Sequence, residues 1–201
     1  MGNVIVDLSV SLDGFIAGHD DGAELPLGRG GEALFAWMTG GPESNRVERR
    51  LAPPDASKVV IDEWTTDCGA MISGRRTFDI ANGWKDGHPV DVPIFVITHQ
   101  APTHGEWSPR VSFVTDGIEH ALELAQEAAG DLNVSVSAAD TAQQLLRAGK
   151  LDEIQVSVVP LLLGAGVRLF DHLGPGPIAL EQIRVIASEG VTHLRYRVVR
   201  A

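Results

Sequence analysis

A chain of 201 residues, 44% hydrophobic and 21% charged, suffices for one domain with a substantial core and is too short for two ordinary domains joined by a linker. Its formal net charge of -11, from 27 Asp and Glu against 16 Lys and Arg, repels a phosphate backbone or an anionic bilayer, which argues against nucleic-acid and membrane partners. A single cysteine, Cys68, excludes an internal disulfide and a thiolate zinc cluster; with no basic leader and no run of about 18 apolar residues, the expected location is the cytoplasm.

Residues 3–10, NVIVDLSV, are few and rich in β-branched side chains, as in a buried strand. The glycine-rich stretch 17–31, AGHDDGAELPLGRGG, is long for a connection inside a compact domain, and such loops tend to be functional or mobile. Residues 32–38 (EALFAWM) and 55–69 (DASKVVIDEWTTDCG) read as helices, the second carrying Val60, Ile61, Trp64 and Cys68 on one stripe. From Ala70 the pattern alternates: strand 70–73, helix 75–81, strands 93–98 and 111–115, helix 118–129, strand 133–137, helix 141–148. Asp116 and Glu119 have capping-box spacing, and Gly130 and Gly149 sit where helices should stop. Alternation of this kind implies a mainly parallel sheet flanked by helices. The runs 153–159, 178–187 and 192–199 follow without helices between them, which predicts antiparallel strands at one edge. The expected fold is a three-layer α/β domain over residues 1–201, with a mainly parallel central sheet and antiparallel C-terminal strands.

In an open parallel sheet, ligands bind beyond the carboxyl ends of the strands. Such junctions fall at Gly74 to Thr77, Thr98 to Gln100, Ser137 to Thr141 and the loop after Ile16. In the segment AMISGRRTFD, Gly74 lets an anion approach the backbone, and Arg75 and Arg76 add two permanent cations with fork geometry, which suits phosphate. The plainer reading of the same residues is a tight turn with solvated arginines pairing to Asp79 or other acids. Asp13, before Gly14, reads either as a substrate contact or as a turn residue. Trp37 reads as a core, lid or substrate-lining residue, and Glu153 as a site-lining residue or the start of a bent strand. Seven histidines are scattered without metal-ligand spacing, so no metal site is expected.

Taken in order, SLDGFIAG, MISGRRTFD, IFVITHQ, SFVTDGIEHAL, VSVSAADTAQQLL and LDEIQVSVVPLLLGAGVRLF resemble the dihydrofolate reductase-like superfamily. The branch they resemble contains the reductase domain of the bifunctional riboflavin-biosynthesis deaminase/reductase, RibD, and its stand-alone bacterial relatives. The resemblance implies an NADPH-dependent reductase acting on a small heterocycle or a ribosylaminopyrimidine-type substrate, and a homodimer. Carried over by position, it puts Gly74, Arg75, Arg76 and Thr77 on the cofactor phosphates and Thr98 and His99 beside the adenosine 2′-phosphate. It also puts Ser9, Ile16 and Ala17 around the nicotinamide, under a lid formed by residues 18–31. Asp13, Trp37 and Glu153 are the candidates for the substrate end. The family's two adjacent glycines after the strand at 133–137 are replaced here by Ser137 and Ala138, followed by Ala139; Asp140 and Thr141 then offer a helix N-cap. A cis peptide between two such residues would cost about 2.5–4 kcal/mol, so weakened cofactor binding is expected, and a non-catalytic protein that keeps the fold stays open as the alternative. Where dihydrofolate reductases carry a carboxylate on the helix after the lid, this chain has Leu34, with Glu32 half a turn away, which disfavours folate.

Overall fold

A computed structural model describes residues 1–40 and 51–200. Its centre is an eight-stranded sheet in the order β5-β4-β3-β6-β1-β7-β10-β9. The parallel part comprises β1 (Val4–Ser11), β3 (Cys68–Gly74), β4 (Ile94–Ile97), β5 (Val111–Val114), β6 (Asn133–Val136) and β7 (Glu153–Val159). Antiparallel to it run β10 (Val191–Val198), paired with β7, and β9 (Leu180–Ser188) at the edge. The mainly parallel sheet with antiparallel C-terminal strands is the architecture that the sequence pattern implies.

Side chains alternate across the sheet. Val4, Val6 and Val10 of β1, with Ala70, Ile72, Val134 and Val136, form a core with α3 (Ile118–Ala129) and α4 (Ala139–Arg147). On the other face, Met71, Ile94 and Val96 pack with Phe78 of α2 (Arg75–Ile80), while Ile61 of α1 (Lys58–Thr66) joins Leu34 and Trp37. Helices on both faces make the three layers.

Several local expectations are corrected. The segment 31–38 is a 3₁₀ helix, Gly31–Met38, and not an α-helix. Helix α1 ends at Thr66, where Thr65 and Thr66 hydroxyls donate back to the carbonyls of Ile61 and Asp62; Cys68 therefore leaves the helical stripe and opens β3 opposite Asn133. Asp116 does not cap α3: the cap position is Gly117 at φ 94, and the Asp116 carboxylate accepts from Thr115 Oγ1 instead. Neither Asp140 nor Thr141 caps α4, whose N-cap is Ala138. The stretch read as loop contains a strand, β2 (Phe15–Gly18), paired antiparallel with β8 (Gly166–Arg168). The two backbones meet so closely at Gly166, at φ 144, that a Cβ there would lie 2.0 Å from the Ala17 carbonyl oxygen.

The topology decides where a ligand fits. From the adjacent strands β3 and β6 the chain departs in opposite directions, through α2 to β4 and through α4 across β1 to β7. Crossovers that diverge in this way leave a crevice at the carboxyl ends of the two strands. It lies between Gly74 and Ser137.

Candidate active site

A cleft of about 750 Å³ runs along the carboxyl ends of β5, β4, β3, β6 and β1, within the range of nucleotide and cofactor sites. All of the residues expected to hold the cofactor line it, from Thr98 and His99 at one end, through Gly74–Thr77 and Ser137–Thr141, to Ser9, Ile16 and Ala17 at the other. Phe35, Pro26, Leu27 and Val167 close the last end, so that wall is largely apolar.

The middle of the cleft presents donors without partners. Ala138, the N-cap of α4, is extended at φ -141 and ψ 140 and offers no side-chain acceptor, so the first N–H groups of this nine-residue helix keep their polarity for a ligand. Beside them the Ser137 hydroxyl is buried and has no hydrogen-bond partner, an arrangement that an approaching oxygen would complete. Gly74 faces them: a Cβ built on it would stand 3.6 Å from Thr141 Oγ1 and 3.7 Å from Ala138 Cβ, filling the space between the two strand ends. No peptide bond among the described residues is cis, that between Ser137 and Ala138 included.

Both arginines reach the cleft, and both are already paired. Arg75 Nε donates to the Asp79 carboxylate at 2.8 and 3.0 Å, and Nη1 donates to the Gln100 carbonyl at 3.1 Å. Arg76 holds Asp21, on the 18–31 loop, which raises the arginine's already high pKa further. Helix α2 spans only six residues, so the positive character on this wall comes from guanidinium groups and not from a helix field. Asp21 is a charged lining residue that sequence reasoning did not single out; as one of two consecutive acids in a glycine-rich loop it carries no local signal. Thr98 Oγ1 is turned inward, donating to the Gln100 carbonyl at 2.9 Å, while the His99 side chain stays exposed.

The residues expected at the substrate end lie elsewhere. The Asp13 carboxylate accepts from Ser11 Oγ at 2.6 Å and from the amides of Leu163 and Gly164 at 3.1 and 2.7 Å, tying two turns together. These donors, the serine first, lower its pKa to about 2. Trp37 is buried behind the cleft wall, its Nε1 donating to Ser9 Oγ at 3.0 Å and its ring edge-on to His193. Glu153 opens β7 opposite Ile5, at the far end of the sheet, where it accepts from Arg195 Nε at 2.7 Å and Asn3 Nδ2 at 3.0 Å. There it belongs to an ion-pair group in which Glu63 bridges Arg184 and Arg195. Among the described residues no group of His, Cys, Asp and Glu is arranged to hold a metal ion.

The RibD C-terminal domain matches residues 3–193 of the sequence. The chain belongs to that family. No curated protein matches it. Among solved structures, a Shewanella sp. PV-4 protein provisionally assigned to riboflavin biosynthesis superposes with a TM-score of 0.71 at 22% identity, each chain covered in full. The Thermotoga maritima diaminohydroxyphosphoribosylaminopyrimidine deaminase/5-amino-6-(5-phosphoribosylamino)uracil reductase gives 0.60 at 13% identity; 98% of this chain spans 57% of that bifunctional protein. Enterococcus faecalis dihydrofolate reductase, solved with NADP(H), also gives 0.60, at 12% identity over 99% and 98% of the two chains. At these identities the likeness is one of fold: this RibD C-terminal domain has a dihydrofolate reductase-like fold. No helix among its described residues is long and apolar enough to cross a membrane.

Proposed function

We propose that this RibD C-terminal domain is a reductase that uses a nicotinamide dinucleotide, NADPH by preference, to reduce a small heterocyclic or ribosylaminopyrimidine-type substrate. One observation carries the reading. At the switch point between β3 and β6, the uncapped start of α4 faces Gly74, with Arg75 and Arg76 beside the glycine and the buried, unpartnered Ser137 hydroxyl at the end of β6. These residues fit a pyrophosphate: backbone N–H and hydroxyl donors at the start of α4, guanidinium groups on the other wall, and no Cβ on Gly74, although the Ala138 methyl projects towards it.

When bound, the reduced nicotinamide supplies the hydride. The chain's own contribution is orientation and exclusion of water: Ser9, Ile16 and Ala17 line the β1 end, and Leu27 and Phe35 cover it. Ser9 accepts from Trp37, which leaves its O–H as a donor on that wall. A homodimer is part of the same proposal. Its contact would be the open edge of β9, where Ile183 and Val185 stand exposed, and light scattering at twice the chain mass would support it.

The pairing of both arginines with carboxylates favours a second reading, a protein that keeps the fold and binds dinucleotides weakly or not at all. Titration of NADPH and NADH against tryptophan fluorescence separates the two. Saturable micromolar binding with NADPH preferred supports the reductase, and binding of neither overturns it. Oxidation of NADPH on addition of a reducible pyrimidine then tests the chemistry.

A further inference from the structure

The contact that holds Arg76 has the geometry of ligand recognition. Nε donates to Asp21 Oδ2 at 3.0 Å, and Nη2 donates to Oδ1 at 2.6 Å and to the Asp21 carbonyl at 2.9 Å. Two N–H groups of one guanidinium on two oxygens of one anion is the arrangement in which arginine grips phosphate. The carboxylate is also sequestered: the Asp21 side chain is 11% exposed, although it stands on a surface loop, while that of Arg76 is 64% exposed. Asp20, the preceding residue, points the other way, pairing with Arg29 and His19 outside the cleft.

The loop delivers Asp21 to that position by its own bonding. Gly18 donates to the Leu27 carbonyl at 2.8 Å and Arg29 to the His19 carbonyl at 2.9 Å, closing the base, while Gly22 and Leu25 exchange bonds at 3.1 Å across the tip. Asp21 sits between base and tip, so releasing it from Arg76 frees the tip without opening the base. A net charge of -11 adds a reason for such a contact: an acidic chain repels dinucleotide anions in general, and binding has to be won where cations such as Arg75 and Arg76 line the cleft.

We propose that Asp21 is an internal stand-in for a ligand phosphate. It occupies the Arg76 guanidinium in the free protein and must be displaced by a phosphate of the arriving dinucleotide. It thereby sets the affinity of the cleft for anionic nucleotides and couples their binding to movement of the loop tip. This inference rests on the reductase reading above and deepens it: Asp21 is a specificity-determining residue of the cofactor site.

The test is NADPH titration of the full chain and of Asp21→Asn, which keeps the shape of the side chain and removes its charge. Glu127→Gln, exposed on α3 and away from both the cleft and the 18–31 loop, serves as a control that changes net charge equally. Affinity is expected to rise about three- to tenfold in Asp21→Asn, the scale of losing one well-formed competing ion pair, and to stay unchanged in Glu127→Gln. Amide hydrogen exchange of residues 19–27 in ligand-free Asp21→Asn is expected to exceed that of wild type, with the base bonds of Gly18 and Arg29 keeping their protection. Equal NADPH affinity in wild type and Asp21→Asn, or an equal gain in Glu127→Gln, overturns the inference and leaves the reductase reading standing. If wild type and both variants bind neither NADPH nor NADH, the reductase reading fails and this inference fails with it. Asp21→Ala, which removes the carboxylate altogether, repeats the measurement should the asparagine retain its bonds to Arg76.

Discussion

Replacing Gly74 with alanine sets the demands of the cleft against those of the fold. The glycine sits at φ -89 and ψ 160, a conformation any residue adopts, so alanine introduces no backbone strain. Its methyl group would meet Thr141 Oγ1 at 3.6 Å and Ala138 Cβ at 3.7 Å, ordinary contact distances that require no shift of either strand end. For the folded chain the change is therefore neutral or favourable. Restricting the unfolded backbone contributes about 0.4–1 kcal/mol of stability, or a rise in Tm of roughly 1–4 °C for a domain of this size. For a bound pyrophosphate the same methyl lies in the gap between the two walls. A phosphate oxygen held off from these donors loses at least one charge-assisted hydrogen bond, about 1.5–3 kcal/mol, which corresponds to a Kd higher by about 10- to 150-fold. Thermal unfolding and a fluorescence titration with NADPH, run on the same preparation, read the two effects separately. An unchanged Kd beside an unchanged Tm would show that the dinucleotide does not pass between Gly74 and Ser137, and the assignment of the phosphate site would have to be given up. A Tm lowered by several degrees would refute the packing argument instead.

Four further outcomes are expected. Ser137→Ala removes a buried hydroxyl without a partner, so stability in urea should hold or rise by up to about 1 kcal/mol while the NADPH Kd rises about five- to tenfold. Burial lifts the Asp7 carboxyl from 3.8 to about 7, so between those values the folded chain keeps a proton that the unfolded chain has released. Stability then falls as pH rises from about 4 to about 7, and Asp7→Asn should flatten that slope and stabilise the protein at pH 8 by on the order of 2 kcal/mol in urea denaturation. His193 runs the other way: burial, with Arg184 adding to it, lowers its imidazole from 6.5 to about 4, so stability present above pH 6.5 is lost as pH falls towards 4. His193→Gln should abolish that acid limb and, by losing bonds to Ser57 and Ser157, cost about 1–3 kcal/mol at pH 7 in the same denaturation series. Glu153→Gln breaks a buried pair with Arg195, which keeps Glu63; a loss of about 1–3 kcal/mol with an unchanged NADPH Kd is expected, and a changed Kd would contradict its place at the far end of the sheet.

What the sequence disclosed about this site, and what it hid, follows from the range of the interactions involved. The residues at the middle of the cleft were legible because they belong to a local pattern. Gly74 to Thr77 and Ser137 to Thr141 are strand-to-helix junctions, and a parallel sheet brings such junctions together at one edge whatever the loops between them do. The substrate-end candidates were chosen from their place in short motifs, which did not reveal their partners. Asp13 bonds to amides about 150 positions away, Glu153 to Arg195 on a strand that pairs antiparallel with its own, and Trp37 to a serine on β1. Short elements escaped for a related reason: β2 and β8 have four and three residues, too few for a periodic signal, and they meet because Gly166 lets the β8 backbone approach Ala17.

The two readings of Arg75 and Arg76 in the sequence, phosphate ligands or arginines paired to acids, prove not to exclude each other. Arg75 holds Asp79 one turn along its helix, and Arg76 holds Asp21 across the cleft, while both line the space between the walls. An ion pair of this kind keeps a cation oriented and its charge compensated until a stronger anion arrives. Under the proposed reading the affinity of the site is set by the difference between two contacts to the same guanidinium, and that difference is what substitution at Asp21 measures.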